Sequence, residues 1–117
     1  MKLIVLIAVA ATSVALTATG IAVARDHSQA ATTVKVTAKD FRFKLSTKTA
    51  RHGTVIFKVV NNGPSKHDFK IAGKKTKLLK KGGKATLTVT LKKKTYQYIC
   101  TVPGHAALGM KGKFKAT

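Results

Sequence analysis

The chain has 117 residues, with 23 Lys or Arg against three Asp or Glu, so its formal charge is +20. That length holds one domain after an apolar leader, which excludes multi-domain enzymes, and a single cysteine excludes an intramolecular disulfide framework. The charge attracts anionic partners, but nucleic acid is set aside because the lysines do not interleave with a stacking platform of aromatics.

Residues 1–24, "MKLIVLIAVAATSVALTATGIAVA", carry one charge, Lys2, and end in Ala22-Val23-Ala24, a small-x-small cleavage pattern. They read as an export signal cut after Ala24, with an uncleaved membrane anchor as the alternative. Either reading puts the remaining chain outside the cytoplasm: periplasm, cell envelope or extracellular space. Residues 25–33 read as a linker and 34–117 as the domain. Removing Lys2 leaves +19 on residues 25–117. A lone thiol in an oxidising compartment must be buried, paired between chains or held by a metal.

From Val34 onward the apolar period is two. Val34, Val36 and Ala38 alternate with polar residues, as do Phe41, Phe43 and Leu45, then Val55, Phe57 and Val59 after Gly53. Leu87, Val89 and Leu91 alternate with threonines in the clearest strand; Tyr96, Tyr98 and Cys100 follow, and Gly112 and Phe114 close the series. Turn clusters separate the runs: Asn61-Asn62-Gly63-Pro64, Gly82-Gly83 and Pro103-Gly104. This pattern predicts an antiparallel β-sandwich or barrel with no amphipathic helix. The lysine clusters at 73–84 and 92–94 read as solvated loops and strand ends.

The stretch "CTVPGHAALGM" places Cys100, His105 and Met110 on one connection between two predicted strands. Three soft or borderline donors so close together suggest a metal, and a fourth is needed. His27 and His52 read as solvated surface histidines. His67, in "NNGPSKHDF", falls on a loop that can reach the same end of the sandwich. Two imidazoles, a thiolate and a long axial thioether are what a blue-copper site uses. A structural zinc site comes second, and a Cys-His nucleophile third, for want of an orienting group and a cleft.

With these residues in place, the chain resembles the cupredoxin family of small blue copper proteins. The resemblance runs over "FRFKLS", "GTVIFKVVNNGPSKHDF", "ATLTVTLKKKTYQYIC" and "CTVPGHAALGMKG". The C-x4-H-x4-M spacing is similar to the longer ligand loop of rusticyanin, sulfocyanin and auracyanin rather than the shorter one of plastocyanin. It implies an all-β Greek-key sandwich holding one mononuclear type 1 copper, with His67, Cys100 and His105 in plane and Met110 axial. It also implies a one-electron shuttle rather than an enzyme, working as a monomer. The charge adds the expectation of acidic redox partners, or of association with an anionic membrane or wall surface. A copper-binding or copper-delivery protein of the envelope, with the same ligands, is the alternative.

The resemblance excludes other copper centres. A binuclear centre would need a second cysteine, a red-copper site a glutamate, and a multicopper oxidase further domains. Two positions depart from the pattern. Asp68 stands where relatives often have an asparagine that ties the ligand loops together, and Lys92-Lys93-Lys94 replaces a Pro-Gly turn.

Overall fold

In the computed structural model the described residues are 30–117, together with the isolated positions Ala15 and Gly20. The signal or anchor read at 1–24, Asp26 and His27 therefore lie outside the described residues. The strands are β1 (Thr32–Lys39), β2 (Arg42–Leu45), β3 (Thr49–Ala50), β4 (Gly53–Asn61), β5 (Lys70–Ile71), β6 (Lys74–Lys75), β7 (Lys84–Leu91), β8 (Thr95–Ile99) and β9 (Lys111–Ala116). They form two sheets, β2-β1-β4-β7 and β3-β9-β8-β5-β6, stacked as the sandwich predicted from the sequence.

Alternation decides which face of each strand is inside. Val34 and Val36 of β1, Val55, Phe57 and Val59 of β4, and Val89 and Leu91 of β7 point inward from the first sheet. Ile71, Tyr98, Phe114 and Ala116 meet them from the second. Phe69, just before β5, is fully buried and packs its ring 5.2 Å from Phe57 and 5.5 Å from Tyr98. Each buried Val, Leu, Ile or Phe among them contributes about 1.5–3 kcal/mol by leaving water. Tyr98 lies against the backbone of its cross-strand partner Gly112, where a Cβ would collide with the phenol ring, so a side chain at 112 would displace Tyr98 from the core.

The sequence pattern implied antiparallel pairing throughout, and here the structure differs. β1 runs parallel to β4, from Thr32↔Val55 to Ala38↔Asn61, and β3 runs parallel to β9. Both sheets are mixed. Period-two alternation fixes the buried face of a strand but carries no information on its partner's direction. β1 also opens at Thr32, two residues before the domain start read from the sequence, because Thr32 and Thr33 pair with Val55 and Ile56. Among the described residues there is no helix long and apolar enough to cross a membrane. The edge strands β2 and β6 carry arginine and lysine, Lys74 and Lys75 making up all of β6, which discourages pairing with another chain.

Candidate metal centre

Cys100 follows the last residue of β8 and Met110 precedes the first of β9, one residue beyond each strand as assigned. The ladder continues between them, because Cys100 N–H donates to the Met110 carbonyl at 3.0 Å. This rung closes the base of the loop 101–109 and sets the two sulfur-bearing residues side by side. Within the loop the chain winds tightly: His105 N–H donates to Val102 O at 3.1 Å and Gly109 N–H to Ala106 O at 3.0 Å. Gly104 (φ 83°) and Gly109 (φ 108°) take the left-handed turns this path requires. Met110 N–H then donates to His105 O at 3.1 Å, which holds the histidine over the base of the loop.

His67 arrives from the opposite side. Its backbone is paired both ways with Leu79, His67 N–H to Leu79 O at 3.0 Å and Leu79 N–H to His67 O at 2.7 Å. The preceding turn is organised by buried Asn61, whose amide donates to Ser65 O and Leu79 O, each at 2.8 Å, and accepts from Gly63 N–H at 2.9 Å. The result is a fixed loop whose imidazole faces the Cys100–Met110 connection.

The three donors His67, Cys100 and His105 meet. His67 Nδ1 is 3.1 Å from His105 Nδ1 and 3.9 Å from Cys100 Sγ, and His105 Nδ1 is 3.6 Å from the same sulfur. Three donors placed about 2.0–2.3 Å from one ion in a shared plane would stand roughly 3.6 Å apart. The observed triangle, with edges of 3.1, 3.6 and 3.9 Å, is close to that size, so the three donor atoms already stand where a metal could be held. His67 and Cys100 are buried, while His105 is half-buried. Met110, fully buried, joins Cys100 and Ala38 in a small cluster separate from the main core and covered by Phe41, Phe43 and Val102. Burial pushes the Cys100 thiol above its ordinary range, so the free thiol is protonated, and a metal must displace that proton to bind the thiolate.

Around these residues lies a second layer that sequence reading largely missed. Asp40 Oδ1 accepts from His67 Nε2 at 2.7 Å, and Ser65 donates to the same carboxylate through Oγ at 2.6 Å and through N–H at 3.2 Å. The hydrogen bond from Ser65 holds the Asp40 carboxyl below its usual range. Asp68 accepts from Thr101 N–H at 2.6 Å and from the Thr101 hydroxyl, so the tie between the ligand loops is made although the residue is not asparagine. Phe41 sets its ring 5.0 Å from that of His105. A signal for the acids was present: in a chain with 23 cations and three acids, each retained carboxylate asks for a reason. Of the remaining histidines, His52 is exposed, and both its N–H and its Nδ1 lie 2.8 Å from the Thr117 carbonyl, away from the centre.

Solved structures similar in shape include two auracyanins and an azurin. The auracyanin of Roseiflexus castenholzii superposes with a TM-score of 0.66 at 23% identity, covering 76% of this chain and 99% of that one. Auracyanin A of Chloroflexus aurantiacus, a "blue" copper protein, gives 0.63 at 21% identity, covering 75% and 100%. An azurin of Methylomonas sp. strain J gives 0.60 at 18%, covering 74% and 98%. At these identities the likeness shows the fold. Among curated protein sequences none matches this chain. The sequence profile of the copper binding proteins, plastocyanin/azurin family, matches residues 13–117. With His67, Cys100, His105 and Met110 in a type 1 arrangement, the chain belongs to the plastocyanin/azurin family of copper-binding proteins.

Proposed function

We propose that this protein is an exported, non-enzymatic electron carrier that passes single electrons between redox partners. The observation that carries the reading is the triangle of His67, His105 and Cys100, assembled at metal-binding size beside a buried methionine. Copper bound there supplies a Cu(I)/Cu(II) couple and a thiolate charge-transfer colour. The chain's own residues do the rest. The rung between Cys100 and Met110 and the pairing of His67 with Leu79 keep the donors in place, so little has to move when the charge changes. Phe41, Phe43 and Val102 exclude water from the sulfur side. His105 alone among these three donors is only half-buried, and the loop that carries it offers an apolar rim of Val102, Ala106, Ala107 and Leu108, with Leu108 63% exposed. This apolar rim supports contact with a partner at the imidazole edge.

Export is supported by the leader with its Ala-Val-Ala ending and by a lone thiol that the metal would protect. A delivery protein would be expected to offer exposed, exchangeable ligands, whereas Cys100 and Met110 are buried, which favours the carrier over copper delivery. The test is to add Cu(II) to the purified protein and record its visible and electron paramagnetic resonance spectra, then its reversible reduction by voltammetry. An intense blue colour with narrow copper hyperfine splitting, lost in Cys100→Ser and kept in His52→Ala and His27→Ala, is the expected result. A colourless protein, or the wide splitting of a tetragonal site, overturns it.

A further inference from the structure

The buried histidine is held at both ring nitrogens, and the two holds are different in kind. Nδ1 faces the other donors, 3.1 Å from His105 Nδ1 and 3.9 Å from Cys100 Sγ. Nε2 faces a carboxylate, Asp40 Oδ1, at 2.7 Å. An ionised carboxylate can only accept a hydrogen bond, so the proton of a neutral His67 ring belongs on Nε2 and the lone pair on Nδ1. In the metal-free site His67 Nδ1 then accepts from His105 Nδ1–H. The geometry points to Asp40 as a positioning residue for copper: it locks His67 in the ligating tautomer and lends its negative charge to the oxidised metal.

Several features show that the carboxylate is placed for this contact. Ser65 binds it through both hydroxyl and N–H, so neither oxygen is free to turn away. Gly63 is where the loop makes room, since a Cβ there would lie 2.7 Å from Asp40 Oδ1 and 2.9 Å from its backbone nitrogen. The partner is also selective: among the described residues Asp40–His67 is the one carboxylate–histidine pair, and His105 has none. The carboxylate therefore stands behind the buried histidine, while the half-buried His105 has no such partner. A carboxylate behind an imidazole raises its basicity and favours the higher oxidation state of the metal it holds.

This inference deepens the copper reading and rests on it for the metal, but its first test needs no metal. In the metal-free protein with ring-¹⁵N-labelled histidine, nuclear magnetic resonance above the histidine titration range should show His67 protonated at Nε2 alone. A His67 carrying its proton on Nδ1, or a mixture of the two forms, overturns the lock even if copper binds. The second test compares the native protein with Asp40→Asn, which keeps shape and removes charge, titrating Cu(II) and Cu(I) against competing chelators. Cu(II) affinity should fall by about 10–100-fold with Cu(I) affinity falling less. The reduction potential should rise accordingly, about 59 mV for each tenfold change in the ratio of the two affinities. A folded Asp40→Asn protein with an unchanged ratio overturns the charge role. Should that variant not fold, the measurement on the native protein still decides the tautomer. A protein that takes up no copper, yet shows the Nε2 proton, keeps the lock and defeats only the copper reading.

Discussion

Asp68 and Thr101 join the two ligand loops: the carboxylate that follows His67 accepts the N–H of the residue that follows Cys100, at 2.6 Å, and its hydroxyl as well. The pair fixes the distance between the histidine arm and the cysteine arm before any metal arrives. Removing it should loosen that distance. Asp68→Ala is expected to lower the stability of the metal-free protein by roughly 1–3 kcal/mol, the cost of stranding half-buried partners. Asp68→Asn, whose amide oxygen can still accept from Thr101 N–H, should cost clearly less. Urea denaturation of both variants measures the difference, and equal losses would show that the acceptor geometry does not matter.

Met110 is fully buried beside Cys100, in the cluster closed by Phe41 and Phe43. Met110→Gln should keep a coloured copper site while lowering its reduction potential, because an oxygen donor favours Cu(II) over Cu(I) more than a thioether does. An unchanged potential in voltammetry would remove Met110 from the axial position.

The Cys100 thiol is 1% exposed, and burial raises its pKa. Both effects oppose attack by an alkylating agent, which needs an accessible thiolate. Near neutral pH the metal-free folded protein should react with a maleimide at least about tenfold more slowly than the urea-unfolded chain. Rates followed by mass spectrometry check this; equal rates would mean that the metal-free loop opens freely.

Lysine placement makes the partner prediction sharper than charge alone. Lys92, Lys93 and Lys94 occupy the turn that enters β8, while Cys100 follows its other end, so they sit at the end of the sandwich remote from the ligands. Lys75 and Lys77, by contrast, line a cleft with Leu78, Thr101, Val102 and Pro103 beside the ligand loop. Electron transfer with an acidic partner should slow as salt rises, through the association rate. Neutralising Lys75 and Lys77 should slow it more than neutralising two of the three lysines at 92–94. Stopped-flow rates against ionic strength test both claims, and a flat salt profile would leave Leu108 and the apolar rim as the docking surface.

How much of this was legible in the chain follows the range of each interaction. The inward faces of β1, β4, β7 and β9 show in the period-two pattern because burial acts on each strand separately. Cys100, His105 and Met110 stand out because one loop carries all three. Phe69 is a core residue outside any strand, β5 and β6 have only two residues each, and neither leaves a periodic trace. Asp40 is 27 positions from His67, so their contact depends on the crossing from β1 to β4, which alternation does not specify. The asparagine of the Asn61 turn reads as a generic turn residue in sequence, yet its side chain is wholly buried and satisfied by three backbone groups.

Asp40 and Asp68, the only acids within residues 30–117, are both committed to the centre, which leaves the outer surface a field of like charge with no ion pair between lysine and carboxylate. Cohesion then owes nothing to pairs between lysine and carboxylate, so added salt screens repulsion among the lysines without breaking such a bridge. Such a molecule is a folded polycation, and its thermal unfolding is expected to shift upward, not downward, when salt is added to a dilute buffer.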